Sequence, residues 1–133
     1  MNELKTGTVL QGGKYRIERV LGQGGFGITY MATQIALNRK VAIKEFFMKE
    51  LCNRDNTTSQ VSVPSIGSQD IVDRFRAKFV KEAQTIATLD NPHIIRIYDI
   101  FTENGTAYYV MDYIGGGSLT NIVEQDGPMS ESV

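Results

Sequence analysis

The sequence has almost none of the side chains that build disulfides, zinc sites or thiol catalysis. Among its 133 residues there is one cysteine, Cys52, and one histidine, His93. A disulfide framework needs pairs of cysteines, and a zinc site of the usual kind needs several Cys or His ligands together. Both are excluded within this sequence, as is catalysis by a neighbouring Cys–His pair. The lone cysteine also favours a reducing, cytoplasmic location.

The sequence also lacks an excess of charge and a long apolar run. Its 14 basic residues nearly balance its 15 acidic ones, and no basic cluster carries interleaved aromatic side chains. We therefore expect no nucleic-acid partner, and any anion must be bound by a local site. Residues 1–9 are polar and no apolar run has the length of a membrane span. We expect neither a signal peptide nor membrane contact from this segment, while a span beyond residue 133 is left open.

What is present is the composition of one folded domain, with 41% apolar and 22% charged residues. Strand-like segments separated by short turns predict antiparallel hairpins. The predicted strands are residues 15–21, 28–33, 40–47, 94–101 and 107–114. The predicted helix covers residues 71–89 and is capped by Asp70, and a polar loop is predicted for residues 49–67. The expected fold is α+β: a five-stranded antiparallel sheet packed on one long helix, with a short helix at 119–125.

Three glycines, Gly22, Gly24 and Gly27, form a G-x-G-x-x-G pattern after the first predicted strand. Without Cβ atoms, such residues let backbone N–H groups approach a phosphate chain closely. The pattern alone is equally compatible with a dinucleotide-binding fold or a structural turn. A dinucleotide fold requires a helix directly after the last glycine, whereas residues 28–33 are strand-like. Glu45, at a suitable distance for a ribose-binding acid, is therefore not assigned that role.

Two charged residues stand out against apolar surroundings. Lys44 ends the strand-like segment Val41-Ala42-Ile43-Lys44, where a lysine without an acidic partner would simply reach water. In the predicted helix, at about 100° per residue, Glu82 falls in the middle of an apolar stripe. That stripe consists of Ile71, Phe75, Phe79, Ile86 and Leu89. A buried carboxylate needs a cation, so Glu82 is a candidate partner for Lys44; the alternative is that Glu82 lies at the stripe edge and bends out to water.

Together these features resemble the small lobe of protein kinases. Residues 21–27 are similar to the glycine-rich loop that covers the phosphates, and residues 41–44 are similar to the third-strand lysine motif. Glu82 resembles the helix glutamate that pairs with that lysine. Residues 91–94 resemble the turn that follows this helix, and residues 109–114 resemble the fifth strand and the hinge.

The resemblance implies an ATP site with Lys44 and Glu82 as its catalytic residues. The implied ATP-binding residues are Leu21, Gly22, Gly24, Gly25, Phe26, Gly27, Thr29, Ala42, Lys44, Met111, Asp112, Ile114 and Ser118. In this picture Met111 is the gatekeeper behind the adenine, and the backbone of Asp112 and Ile114 binds the adenine edge. Ser118 would contact the ribose or, equally, cap the following helix. Mg²⁺ is expected with ATP, held by residues of the missing large lobe.

Three features depart from the kinase pattern. Thr29 stands where the family usually has a valine over the adenine, and the 49–67 loop lengthens the connection between Lys44 and Glu82. No His-Arg-Asp catalytic loop and no Asp-Phe-Gly metal-binding triplet occurs. We therefore expect residues 1–114 to be a small lobe and residues 115–133 to be the hinge exit and the truncated start of the large lobe.

The expected function is that of a Ser/Thr protein kinase, which transfers the ATP γ-phosphate to protein hydroxyls. The Ser/Thr assignment rests on a likeness to bacterial eukaryotic-like kinases in residues 25–30, in residues 45–47 and in the long loop. The fragment alone is expected to be inactive, because the protein substrate would bind through the missing large lobe. A nucleotide-binding pseudokinase or scaffolding module is the alternative, and a dinucleotide-dependent oxidoreductase is disfavoured.

Overall fold

The computed structural model describes residues 3–55, 57–88 and 96–113. The strands are β1 (Val9–Leu10), β2 (Tyr15–Gln23), β3 (Gly27–Gln34), β4 (Arg39–Phe46), β5 (Asn53–Arg54), β6 (Val61–Ser62), β7 (Ile97–Glu103) and β8 (Thr106–Asp112). One α-helix, α1 (Gln69–Thr88), lies between β6 and β7, and short 3₁₀ turns cover Gln11–Gly13, Ile35–Leu37 and Ile66–Ser68. Within these ranges no helix is long and apolar enough to cross a membrane.

The strands form an antiparallel sheet in the order β1-β2-β3-β4-β8-β7. The β7–β8 hairpin turns on Asn104 and Gly105, whose φ angles are +55° and +73°. A two-residue hairpin turn of this kind requires positive φ at both positions, and Asn-Gly is the pair that adopts it most readily. The hairpin predicted from this pair is confirmed.

The sheet confirms the predicted strands and corrects their number. The five predicted strands are present as β2, β3, β4, β7 and β8, with residues 94–95 outside the described ranges. The sheet has a sixth strand, β1, and the predicted 49–67 loop contains a hairpin of β5 and β6. Strands of two residues carry no alternation that a sequence pattern could show. The helix also starts earlier than predicted, so Asp70 lies inside its first turn and does not precede it.

Each face of the sheet has a distinct environment. We call the side of β4 that bears Lys44 the cleft face, and the side that bears Glu45 the outer face. From the pairing register, the cleft face carries Thr29, Met31, Ala42, Lys44, Tyr109 and Met111, and the outer face carries Ile28, Tyr30, Ile43, Glu45, Tyr108 and Val110. All six outer-face residues are buried, whereas five of the six on the cleft face are only half-buried.

Helix α1 packs on the cleft face through an aromatic cluster. The Phe79 ring centroid lies 5.6 Å from that of Phe46 on β4 and 5.0 Å from that of Tyr109 on β8. Tilted ring pairs at this separation are favourable contacts. The outer face is covered by the N-terminal segment, in which Leu4 is 3% exposed and Leu10 is fully buried. The helix and the N-terminal segment therefore bury the two sides of one sheet.

Candidate functional site: the cleft face beneath the glycine loop

The glycine loop joins β2 to β3 and is held by backbone hydrogen bonds. Gly24 N donates to Gly27 O at 2.8 Å, which closes the turn. On the other side, Phe47 N donates to Phe26 O at 3.0 Å and Lys49 N donates to Gly25 O at 3.2 Å. The loop is thus fastened to the chain that directly follows β4.

Only one of these glycines is required by close packing. A Cβ on Gly27 would lie 2.9 Å from the backbone oxygen of Glu45 and 3.5 Å from the Lys44 Cε atom. Such an approach to a backbone atom is shorter than real Cβ contacts. A Cβ on Gly22, Gly24 or Gly25 would meet nothing within 4 Å. Gly27 therefore brings the loop close to Lys44, and the other glycines border open space that a ligand could occupy.

Lys44 lies on the cleft face below this loop. In the register it is opposite Thr29 on β3 and Tyr109 on β8, and its side chain is half-buried. Burial lowers the pKa of Lys44, and the negative charge of Glu82 works in the opposite direction. In the described part of the chain, no carboxylate oxygen lies within 4.0 Å of its ammonium. The ammonium is therefore partly desolvated and open to an anionic ligand.

Glu82 does not lie on the buried face of α1, contrary to the helical-wheel prediction. The helix residues with buried side chains are Val72 and Ala83, while Glu82 is exposed. At about 100° per residue, the buried side is rotated by about 70° from the predicted stripe. Phe75 and Ile71, which were expected in the core, are 37% and 41% exposed. Val72, a residue that the stripe omitted, is 2% exposed and lines one cavity together with Cys52 and Val61 of the segment before the helix.

Glu82 nevertheless influences the cleft electrostatically. Burial and the Glu82 charge raise the pKa of Tyr109 to about 12, and the same carboxylate opposes the lowering of the Lys44 pKa. The predicted ion pair between Lys44 and Glu82 is therefore not formed within 4.0 Å, although the charge of Glu82 acts on Lys44. Closing it would require a rotation or shift of α1 toward β4.

The residues proposed to surround the adenine lie on neighbouring strands. Ala42 is paired with Met111 of β8, and Thr29 is paired with Lys44. Leu21 lies at an irregularity in the β2–β3 pairing, between Val20 and Gly22. Asp112 ends β8, and its carboxylate accepts hydrogen bonds from the Tyr98 hydroxyl and the Arg96 amide.

Some predicted residues lie outside the described ranges, and some neighbours were missed. Ile114, Ser118 and His93 belong to the first group, as does the whole 115–133 segment. Two cleft-face residues, Met31 opposite Ala42 and Tyr109 opposite Lys44, were not predicted as site residues. The period-2 pattern of β3 and β8 could have placed both on this face, but their partners depend on the register, which the pattern does not determine.

The glycine loop also contacts the helix. Phe26, at the loop tip, is 57% exposed, and its ring centroid lies 5.4 Å from that of Phe75 on α1. The tip of the glycine loop is therefore in contact with helix α1. Chemically, the cleft face offers one desolvated ammonium, a glycine loop with open space beside it, and an apolar strip from Ala42 to Met111. This set can take a flat apolar group joined to an anionic chain.

Comparison with known proteins supports this description. The chain matches the protein kinase domain family over residues 15–133. It is 35% identical over 117 residues to the serine/threonine-protein kinase PrkC of Bacillus subtilis, which covers 88% of this chain and 15% of PrkC. It is 30% identical over 133 residues to the probable serine/threonine-protein kinase PknB of Bifidobacterium longum, covering 93% of this chain and 16% of that protein. The chain thus spans about 15% of the length of these curated relatives.

Solved structures show the same fold. The structure titled PpkA-294 apo form matches with a TM-score of 0.83 at 28% identity, covering 94% of this chain and 43% of that chain. The Mycobacterium tuberculosis PknI kinase domain matches with a TM-score of 0.58 at 23% identity, a likeness that concerns the fold alone. With the family match over nearly its whole length and the glycine loop set over Lys44, this chain belongs to the protein kinase domain family and comprises part of such a domain.

Proposed function

We propose that this chain is the ATP-binding small lobe of a Ser/Thr protein kinase, and that the protein to which it belongs transfers the ATP γ-phosphate to protein hydroxyls. The observation that carries the proposal is Lys44, a half-buried ammonium with a lowered pKa and no carboxylate in ion-pair contact within the described ranges. A desolvated cation is unfavourable unless an anion completes its environment. A phosphate chain would do so.

The surroundings of Lys44 fit a nucleotide. Gly27 holds the loop so near Lys44 that a Cβ would contact the Lys44 side chain at 3.5 Å. The open positions at Gly22, Gly24 and Gly25 leave room for phosphate oxygens beside backbone N–H groups. The apolar strip of Ala42 and Met111 is suited to a flat base, and Thr29 adds one hydroxyl between the strip and the lysine.

Each residue then has a distinct task. ATP supplies the phosphoryl group, and catalysis of its transfer depends mainly on positioning and on neutralising charge. Lys44 would hold the α- and β-phosphates, and the loop from Gly22 to Gly27 would cover the chain and exclude water. Glu82 would orient Lys44 once α1 approaches β4. The adenine edge would bond the backbone of Asp112 and Ile114.

The remaining parts of the reaction belong to the rest of the kinase domain. Mg²⁺, the base that accepts the hydroxyl proton and the groove for the protein substrate are assigned to residues beyond this chain, which spans 43% of the PpkA-294 chain. The Ser/Thr class is supported by the similarity to the serine/threonine-protein kinases PrkC and PknB. We also propose a cytoplasmic location, with which the single cysteine is compatible. We therefore infer that the 133-residue chain binds ATP weakly and transfers no phosphate alone.

Nucleotide binding by the chain tests the first half of the proposal. Calorimetric or fluorescent-nucleotide titration should give weak binding of ATP and no binding of NAD. Lys44→Met should weaken ATP binding by about tenfold or more, because one charged hydrogen bond to phosphate is lost. Lys40→Met is the matched control, since Lys40 is an exposed lysine on the same strand, and its affinity should equal that of the unchanged chain. Equal loss in both variants would contradict the assignment of Lys44.

Phosphate transfer tests the second half. A longer protein that includes the rest of the kinase domain should phosphorylate serine or threonine on a protein substrate, and Lys44→Met should abolish most of that activity. The 133-residue chain should show none. The alternative, a nucleotide-binding pseudokinase or scaffold, is favoured by the exposed position of Glu82. It would be supported if the longer protein bound ATP without detectable transfer.

A further inference from the structure

The outer face of the sheet contains a charged residue that the nucleotide site does not use. Glu45, the neighbour of Lys44 in β4, is 0% exposed. Its Oε1 atom accepts hydrogen bonds from the Tyr30 hydroxyl at 2.8 Å and from Arg54 Nη2 at 2.5 Å. Its Oε2 atom accepts from the Tyr108 hydroxyl at 2.5 Å. A buried carboxylate is stable only when its oxygens are satisfied in this way.

The cation of this ion pair comes from the 49–67 segment, which we call the insert. The Arg54 side chain is 1% exposed, although the insert was expected to be a polar loop. Its Nη1 atom donates to the Ser59 backbone oxygen at 2.7 Å, and its guanidinium lies 5.4 Å from the Phe47 ring centroid. Burial by itself would lower the pKa of Arg54, but the hydrogen bond and charge of Glu45 raise it. The Arg54 guanidinium thus links two parts of the insert, through Ser59, and binds the insert to β4, through Glu45.

The insert is also joined to the β7–β8 turn. Val61 N donates to Asn104 O at 2.7 Å. At the next turn residue, Gly105, a Cβ would lie 2.5 Å from the Val61 backbone oxygen, so the two backbones touch. The insert therefore contacts the sheet at two separate points, β4 and the β7–β8 turn.

From these two points the insert reaches helix α1. Val72, 2% exposed, belongs to the same buried cluster as Cys52 and Val61 of the insert. A cavity of about 280 Å³ between insert and helix is lined by Cys52, Val61, Val63, Val72 and Arg76, among others. Val72 lies on the side of α1 that is buried, about 80° from Glu82. The contact with the insert therefore coincides with the rotation that leaves Glu82 exposed.

We propose that the insert is a brace, anchored to the outer face by the Glu45–Arg54 ion pair, which sets the rotation of α1 by burying Val72. Arg54 is on this view a positioning residue for the helix that carries Glu82. Without the brace, the exposed Ile71 and Phe75 are free to join Phe79 against the sheet, and that rotation turns Glu82 toward β4. The inference concerns the helix alone and does not depend on nucleotide binding.

The single cysteine provides a probe for the brace. Cys52 lies in the insert, is 3% exposed and is the chain's only thiol. Labelling of its thiol in the 133-residue chain, at fixed pH without denaturant, measures how often the insert opens. Arg54→Met should raise the labelling rate by about 100-fold or more, because it leaves the Glu45 carboxylate buried without its cation. Arg16→Met, which breaks the exposed Arg16–Glu18 pair, is the matched control and should not change the rate.

Amide hydrogen exchange distinguishes positioning from general destabilisation. In Arg54→Met, protection should fall in the insert and in the first half of α1, with β2 and β3 unchanged. Arg54→Lys should lie closer to the unchanged chain than Arg54→Met, because it keeps the charge. Fast Cys52 labelling with unchanged α1 exchange would overturn the proposal, as would an equal loss of protection throughout the sheet.

A second variant covers the case in which Arg54→Met does not fold. Val72→Ala removes the helix side of the contact and leaves the ion pair intact. It should speed Cys52 labelling by about tenfold, since insert and helix bury each other there. Ala83→Gly is its control, because Ala83 is equally buried on α1 but does not belong to the buried cluster that contains Val72, Cys52 and Val61. Labelling that is unchanged in Val72→Ala, or accelerated equally in the control, would contradict the brace.

Discussion

Lys44 and Glu45 are neighbours in one strand, yet they lie in opposite electrostatic situations. On the cleft face, Lys44 is half-buried and has no ion-pair contact among the described residues. On the outer face, Glu45 is fully buried and accepts three hydrogen bonds, one of them from a cation. A buried charge that has a counter-charge and hydrogen-bond partners within the protein contributes to the structure. A desolvated charge without an ion-pair partner in the protein is available to a ligand. The difference separates a structural residue, Glu45, from the proposed nucleotide-binding residue, Lys44, one position apart.

The largest expected effect is on the outer face. Glu45→Ala should lower the free energy of unfolding by about 3–5 kcal/mol, because it leaves Arg54 buried without its counter-charge and removes the acceptor of two phenols. Urea unfolding measures the change. Glu18→Ala, which removes a half-buried carboxylate that accepts from Arg16 and Thr33 on the same sheet, should cost about 1 kcal/mol. Similar losses of unfolding free energy in the two variants would show that the buried ion pair stabilises the fold no more than the pair on the surface of the sheet does.

A smaller effect is expected where the loop meets β4. Gly27→Ala should destabilise the chain by about 2 kcal/mol, since its Cβ would lie 2.9 Å from the backbone oxygen of Glu45 and the strands must move apart. Thermal unfolding measures the loss. Gly25→Ala, with nothing within 4 Å of its Cβ, should be close to neutral. If both substitutions were neutral, the loop would not be held against β4 as described.

The tyrosines predict how stability falls at alkaline pH. Burial and the Glu45 charge raise the pKa of Tyr108 far above its usual range. The native phenol therefore keeps its proton above pH 10, while the unfolded chain loses it, so the folded state binds more protons and stability decreases as pH rises. Each such phenol contributes a slope of up to about 1.4 kcal/mol per pH unit.

Urea midpoints between pH 8 and 11 test this expectation, with Tyr108→Phe as the comparison. The variant should lose stability at neutral pH, because Glu45 loses one donor, but its decline above pH 10 should be shallower by about one proton. An identical slope in both proteins would mean that Tyr108 titrates alike in the folded and unfolded states.

The smallest expected effect is on the cleft face. Lys44→Met should change the free energy of unfolding by less than about 1 kcal/mol at neutral pH, and in the stabilising direction, because methionine keeps the apolar stem without a desolvated charge. The folded pKa of Lys44 lies below the ordinary 10.5, so between these two values the unfolded chain binds more protons. Stability of the unchanged chain should therefore rise relative to Lys44→Met as pH increases toward 10.5. A strong destabilisation by Lys44→Met would reveal an ion pair with Glu82.

Much of the fold could be predicted from local patterns. The five long strands follow from alternation, and the β7–β8 turn follows from Asn104-Gly105, because few other residues adopt its backbone. Helix α1 follows from the length of the helical pattern, but its start was predicted two residues late, because Asp70, taken as the cap, lies inside the first turn. The glycine loop and Lys44 could be singled out because both belong to local motifs, and the structure places them close together.

What could not be predicted depends on contacts between distant residues. Glu45 was considered only as a ribose ligand and set aside, since nothing local indicates that Arg54 would reach it. The predicted helix rotation was wrong because Val72, outside the apolar stripe, is the buried residue, and a helical wheel counts apolar residues without information on what covers them. The pairing of Met31 and Tyr109 with the site residues required the register of the sheet.

The sequence by itself determined the local motifs: three spaced glycines between two strands, and a lysine that ends the segment Val41-Ala42-Ile43-Lys44. These are properties of consecutive residues and of side-chain chemistry. The tertiary structure alone decided that Glu82 is exposed and that Glu45 is buried beside Arg54. Burial depends on what packs on each face of the sheet. Here the insert and the N-terminal segment pack on the outer face, and the sequence of the strands does not show this.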